Sequence, residues 1–192
     1  MENLYGVGKI AYPLLCEENY SLNYNRSRCK KMRDALGARG ESLFHLLMTP
    51  FPLGGSPIFK PQFLGNKWQY LDFIVELVGA DSYIPYFFVQ VKTTRQGYTK
   101  KENRLKVKVE EESVIGIASY PAPTYIVGID EIQEVGYLVS ANGENLKSLS
   151  SLSTKFPINK DNRQILWDEV NNFWSQYKNK NLASQFSDQQ SR

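Results

Sequence analysis

The stretch from residue 70 to residue 94, YLDFIVELVGADSYIPYFFVQVKTT, constrains the fold more than any other part of the chain. It contains two runs rich in β-branched and aromatic residues, and this pattern predicts two strands joined by a turn. Side chains alternate between the faces of a strand, so Gln90 and Lys92 lie on the same face. If the strands pair as a hairpin, Asp72 at the start of the first strand lies near both.

A carboxylate, an amide oxygen and an ammonium in one place suit a divalent cation and a phosphate, because hard cations bind oxygen ligands. The physical reason to suspect a site is that Gln90 and Lys92 end an otherwise apolar strand, where burial without partners is costly. The alternative is a strand whose end simply reaches solvent, with both side chains at its rim. The strand pattern alone is compatible with either.

Length and charge set the frame for this hypothesis. A chain of 192 residues favours one domain, which we predict over residues 1–180, followed by a polar and disordered tail over residues 181–192. The net charge of +3 is too small to indicate nucleic acid by itself, so only a local basic cluster can do so.

The cysteines and the hydropathy pattern predict a cytoplasmic protein without a membrane partner. Cys16 and Cys29 are the only cysteines, and we expect reduced thiols because nothing else indicates secretion. The chain shows neither the pattern of a signal peptide nor an apolar run of about 20 residues that spans a membrane.

The segment from residue 27 to residue 48 has the apolar periodicity of a helix. Gly40 on this helix either allows a close approach to a sheet or marks a kink. Glu41 lies beside the apolar stripe, so we expect a half-buried carboxylate that faces the sheet. Residues 49–67 contain four prolines and predict a long loop.

The second half of the chain alternates helical and strand patterns, which favours an α/β fold. A short helix is predicted over residues 110–119, strands over residues 125–129 and 136–140, and a last helix over residues 163–177. Asp161 or Asn162 is the predicted N-cap of the last helix.

A basic cluster follows the two central strands directly. Between residues 95 and 108 the chain has six basic residues and one acid, with one interleaved tyrosine. Such a cluster provides salt-sensitive, sequence-independent contacts to phosphates, although many charge runs are only solvated loops. The candidate nucleic-acid-binding residues are Arg95, Tyr98, Lys100, Lys101, Arg104, Lys106 and Lys108.

The order of these motifs resembles the PD-(D/E)XK nuclease superfamily, and more closely a bacterial branch with a GE-containing helix and a Q-x-K strand. The match lies in Gly40-Glu41, in Asp72 and in residues 88–94, FVQVKTT. The resemblance implies a restriction-endonuclease-like core, in which helices flank a central mixed β-sheet. It also implies a Mg²⁺- or Mn²⁺-dependent enzyme that cleaves DNA, and it allows a homodimer.

The resemblance also implies roles for individual residues. Asp72 is the principal metal ligand, Gln90 stands where the family usually has an acid, and the backbone carbonyl of Val91 is a further ligand. Glu41 is a direct or outer ligand of the metal. Lys92 orients the attacking water and stabilises charge on the phosphate.

Two other classes of function stay open. Gln90 favours a module that keeps the nuclease fold and binds nucleic acid without cleaving it, because an amide binds a cation more weakly than a carboxylate does. The third possibility is a structural or protein-interaction domain, which predicts no salt-dependent affinity for DNA.

Overall fold

The structure is a computed structural model that describes residues 22–52, 55–80, 84–142 and 148–177. The chain divides into two units, residues 1–35 and residues 36–192. The predicted tail, residues 181–192, lies outside the described residues, and the predicted extent of the domain stays a prediction.

The described part of the first unit is helical. It belongs to helix α1, which runs from Leu22 to Met48 and so continues into the second unit. Cys29 on this helix is disulfide-bonded, so the expectation of a reduced thiol is wrong for this residue. Among the helices that the structure describes, none is both long enough and apolar enough to cross a bilayer.

The second unit contains all the strands that the structure describes. In chain order after α1 its elements are β1 (Phe59–Phe63), a 3₁₀ turn (Gly65–Lys67), β2 (Phe73–Leu77), β3 (Tyr86–Thr94), α2 (Glu111–Ala118), β4 (Thr124–Asp130), β5 (Val135–Ser140) and α3 (Lys160–Ser175). The predicted strands and helices are therefore confirmed, with ends shifted by a few residues.

The five described strands form one sheet in the order β1-β2-β3-β4-β5. β2 and β3 pair antiparallel, which confirms the predicted hairpin. β3 and β4 pair parallel, and α2 is the crossover between them, so the sheet is mixed. The predicted α/β class, with helices flanking a mixed sheet, is therefore confirmed at this level of detail.

Helices cover the sheet on both sides, and the two sides have separate apolar cores. On the α1 face, Phe44 of α1 and Leu166 of α3 pack against strand residues such as Val75 and Val89. On the α2 face, the core residues are Leu71, Phe88, Leu105, Val107, Val109, Val114, Ile117, Ala122, Ile126, Ala141 and Leu152.

Two local predictions are wrong. Residues 49–67 are not one loop, because they contain β1, where Phe59 and Pro61 are buried. Proline is tolerated there because β1 is an edge strand with a neighbour on one side only. The N-cap of α3 is Asn159, whose side chain accepts a hydrogen bond from the Asn162 backbone, not Asp161 or Asn162.

Candidate functional site

Asp72 lies where β2 begins and its pairing with β3 ends. Its backbone N–H donates to the carbonyl of Val89 at 2.9 Å. The next inter-strand hydrogen bond is made by its side chain and not by a backbone carbonyl: Oδ2 accepts a hydrogen bond of 2.6 Å from the backbone N–H of Val91. A strand N–H lies in the plane of the sheet, so the carboxylate lies at the point where the two strands separate.

The side chain and the main chain of Val91 lie in different surroundings. Its side chain is buried in the core of the α1 face. The N–H and C=O of one strand residue point to the same neighbouring strand, so the Val91 carbonyl faces the side of β3 on which Asp72 lies. The main chain of Val91 therefore offers an oxygen next to the Asp72 carboxylate.

Gln90 is directed to the α2 face and is enclosed there. It is paired in register with Ile126, which belongs to the core of that face. The side chain is 5% exposed. Its Oε1 is buried and accepts no hydrogen bond from any group in the described residues. Buried polar atoms are nearly always hydrogen-bonded, so this oxygen lacks the partner that such an atom usually has.

Lys92 lies on the same face, two residues further along β3. Its register partner is Gly128, where an added Cβ would contact Leu105 and Val107 of the α2-face core. The side chain is half-buried. Lys92 therefore lies at the border between the α2-face core and solvent. Its positive charge lowers the pKa of the Asp72 carboxyl group.

The pKa values of Asp72 and Glu41 show that these two carboxyl groups, which are far apart in the sequence, influence each other. Burial raises the pKa of Asp72, and the Val91 N–H and the Lys92 ammonium oppose that rise because both stabilise the carboxylate. Burial also raises the pKa of Glu41, and the Asp72 carboxylate adds to the rise by repulsion. Asp72 is therefore close enough to interact electrostatically with Glu41 and with Lys92.

Gly40 explains how Glu41 reaches this position. A Cβ at residue 40 would overlap the Thr93 side chain of β3, so only glycine allows α1 to pack this closely on the strand. The close approach expected at Gly40 is confirmed, and α1 continues through this residue without a break. Glu41 is half-buried, as predicted, and lines an open groove of about 530 Å³ with His45 and Phe63.

Part of the predicted basic cluster is held in contacts with its own neighbourhood. Arg95 forms a salt bridge with Glu131 at 3.0 Å. Arg104 donates to the side chain and the carbonyl of Ser151, both at 2.9 Å. Two of the predicted phosphate-binding cations therefore contribute to the local structure.

Tyr98 is also held within the fold. Its hydroxyl is 3.2 Å from the hydroxyl of Tyr137 and 3.2 Å from Gln133 Oε1. Burial, followed by hydrogen bonds to Tyr137 and Asp130, raises the pKa of Tyr98 strongly. Because the ring packs edge-on against Tyr137, with 6.3 Å between the centroids, it is an unfavourable platform for a stacked base.

The remaining lysines separate into two pairs. Lys106 and Lys108 line a small polar pocket together with Lys92, and Ser150 and Gln96 complete part of its wall. Lys100 and Lys101 are exposed and do not line this pocket. Neither Gln96 nor Ser150 belongs to a recognisable motif, so sequence reasoning did not identify them; Ser150 lies in a serine-rich connection without a distinctive pattern.

The donor groups at this site fit a hard cation in kind. Asp72 and Glu41 offer neighbouring carboxylate oxygens, which Mg²⁺ and Mn²⁺ prefer. The amide oxygen of Gln90 is also of this kind, but it is enclosed on the α2 face, whereas Glu41 lies on the α1 face. Two neighbouring carboxylates with raised pKa values are also stabilised by a cation. The fit is incomplete, because the described residues contain no group of three or more Asp, Glu, His or Cys placed to hold a metal.

Comparisons with family models, with curated proteins and with solved structures find no match for this chain.

Proposed function

We propose that this protein is a metal-dependent nuclease that hydrolyses phosphodiester bonds in DNA. The observation that carries the proposal is the hydrogen bond from Val91 N–H to the Asp72 carboxylate. It joins the start of β2 to the centre of the Q-x-K sequence in β3. The electrostatic interactions of Asp72 with Glu41 and Lys92 support the same centre.

The order of elements supports a restriction-endonuclease-like core. Helix α1 carries Glu41, β2 begins beside Asp72, and β3 carries Gln90 and Lys92 before the crossover to β4 through α2. This is the order that the resemblance to the PD-(D/E)XK superfamily predicts. The proposal therefore depends both on the order of the elements and on the residues that they bring to the site.

Asp72, Glu41, Gln90 and the Val91 carbonyl would hold Mg²⁺ or Mn²⁺. When bound, the cation would supply Lewis-acid polarisation of the phosphate and would lower the pKa of a bound water. Lys92 donates to a phosphate oxygen, which places positive charge where negative charge increases in the transition state. The hydrogen bond from Val91 fixes the Asp72 carboxylate before substrate binds, so this ligand needs no rearrangement.

A cleavage assay on single-stranded, duplex and branched DNA with Mg²⁺ or Mn²⁺ tests the proposal. We expect Asp72→Asn and Lys92→Ala each to lower the rate by about 10²- to 10³-fold, as for the loss of one group that stabilises the transition state. Lys160→Ala is the matched control, because Lys160 is an exposed lysine at the start of α3 on the other face of the sheet. An unchanged rate in Lys92→Ala would show that the proposed site is wrong.

A second candidate is a nuclease-fold module that binds nucleic acid without cleaving it. It is favoured by the absence of a metal-holding group of three Asp, Glu, His or Cys among the described residues, and by an amide at position 90. The two candidates differ in one measurement. The module predicts salt-dependent binding to DNA by the wild type and no cleavage with either cation.

A further inference from the structure

A second polar site adjoins Lys92 on the α2 face. A pocket of about 200 Å³ is lined by Lys92, Thr93, Thr94, Gln96, Lys106, Val107, Lys108 and Ser150. We name it the lysine pocket, because three of its lining residues are lysines that come from two separate segments of the chain.

The segment that supplies Lys106 and Lys108 is firmly anchored. The side chains of Leu105, Val107 and Val109 are buried in the α2-face core, and they alternate with the two lysines. Leu105 exchanges backbone hydrogen bonds with Leu152, at 2.9 Å and 2.8 Å. Val109 exchanges two more with Leu149, at 2.8 Å and 2.9 Å. This strand-like alternation presents both lysines on one side, beside Lys92.

The charges in the pocket are only partly balanced by acidic groups of the described residues. Lys106 forms no ion pair with any described residue. Lys92 interacts electrostatically with the Asp72 carboxylate. Lys108 pairs with Glu110 at 2.7 Å, but the side chains are 75% and 66% exposed, so solvent weakens this pair. Three lysines therefore line one pocket, and their positive charge favours an anion there.

We propose that the lysine pocket binds a phosphate group of the nucleic-acid strand, next to the phosphate at the proposed cleavage site. This inference rests on the proposed function, because Lys92 belongs to both sites. The hydroxyl of Ser150 and the amide of Gln96 add polar groups to the three ammoniums. None of these groups reads a base, so the pocket positions the strand without selecting its sequence.

The residues of the basic cluster therefore have two different roles. Lys106 and Lys108 contact phosphate in the pocket, whereas Arg95 and Arg104 hold the surrounding structure through Glu131 and Ser151. The effect of removing a basic residue therefore depends on whether it lines the pocket, and not only on its charge.

Binding of a fluorescent oligothymidylate, measured by anisotropy over a range of salt concentrations without divalent cation, tests the inference. All proteins carry Asp72→Asn, so no strand is cut. We expect Lys106→Ala to lower the affinity about ten-fold, the size expected for one hydrogen bond to a charged group. The slope of log affinity against log salt should fall by about 1. Lys106→Arg should keep most of the affinity.

Lys160→Ala is the matched control, with the same loss of charge on the opposite side of the sheet. Equal affinities and equal salt slopes for Lys106→Ala and Lys160→Ala overturn the inference. Competition with inorganic phosphate separates a site for free phosphate from a site for a strand. If Lys106→Ala weakens binding of phosphate but not of the oligonucleotide, the assignment to nucleic acid is wrong.

The outcome is independent of the cleavage assay. Binding is measured without cation and in a background that lacks Asp72, so an inactive wild type leaves the result for Lys106 readable. A protein that cleaves DNA but shows no effect of Lys106→Ala retains the proposed function and loses the lysine pocket as a phosphate site.

Discussion

The two faces of the sheet share the same strands but differ in what those strands present. On the α1 face, β3 contributes Phe87, Val89 and Val91 to an apolar core. On the α2 face, the same strand contributes Phe88 to a core, then the buried Gln90, and then Lys92 to a polar pocket. The difference indicates that β3 is apolar on the α1 face from Phe87 to Val91, while its α2 face changes from apolar to polar towards the end of the strand.

Asp72 is where the two faces meet. Its carboxylate lies in the plane of the sheet, held by the N–H of Val91, and it interacts with Glu41 from α1 and with Lys92 on the α2 face. A site at the separation of two strands can therefore use groups from both sides.

The largest expected effect on stability lies on the α1 face. Leu166 of α3 is 4% exposed, and Leu166→Ala should lower the free energy of unfolding by about 2–5 kcal/mol through lost burial and a cavity. Ile165→Ala on the same helix is the control, because Ile165 is 60% exposed and should change stability by less than about 0.5 kcal/mol. Urea unfolding measures both. Equal losses in the two variants would contradict the placement of Leu166 in the core of the α1 face.

A smaller effect is expected where α1 approaches β3. Gly40→Ala should destabilise the protein by about 1–3 kcal/mol, because the new methyl group overlaps Thr93. It should also lower DNA cleavage, since Glu41 moves with the helix. Gly37→Ala has open space around its Cβ and should stabilise the helix by up to about 1 kcal/mol. Thermal unfolding of both variants checks the opposite signs.

Gln90 should show opposite effects on stability and activity. Gln90→Met removes the buried Oε1 that lacks a hydrogen bond, so we expect the free energy of unfolding to rise by about 1–2 kcal/mol. The same change removes a proposed metal ligand and should abolish cleavage. Gln90→Glu should instead tighten Mg²⁺ binding, as measured by calorimetry. A Gln90→Met variant that is less stable than wild type would show that the amide has a structural role.

The smallest effect concerns pH. The folded pKa of Asp72 lies above its ordinary value of 3.8, so its contribution to stability is present below pH 3.8 and is lost as the pH rises through the folded pKa. Asp72→Asn does not titrate and avoids this loss. We therefore expect the variant to gain stability relative to wild type as the pH rises from about 4 to 7, by about 1.4 kcal/mol for each unit of pKa shift. Chemical unfolding of both proteins across that range measures the difference. A stability of Asp72→Asn that falls relative to wild type as the pH rises would contradict the prediction.

Local patterns in the sequence were sufficient for most of the elements. The alternation in residues 70–94 predicted the hairpin, and the periodicity before Met48 predicted the end of α1. β1 was missed because Pro50, Pro52, Pro57 and Pro61 indicate a loop, and only the position of that strand at the sheet edge makes Pro61 acceptable. Such a position is a property of the assembled sheet.

Alternation along β3 places Gln90 and Lys92 on one face whatever lies around them, so the chemical groups that the strand presents could be predicted from the sequence. Which distant groups lie near this strand depends on tertiary packing. It brought Glu41 near through the contact of Gly40 with Thr93, and it placed Lys106 and Lys108 beside Lys92 while tying Arg95, Tyr98 and Arg104 elsewhere. The physical reason is that local patterns depend on neighbours a few residues away, whereas these contacts depend on the packing of segments far apart in the chain.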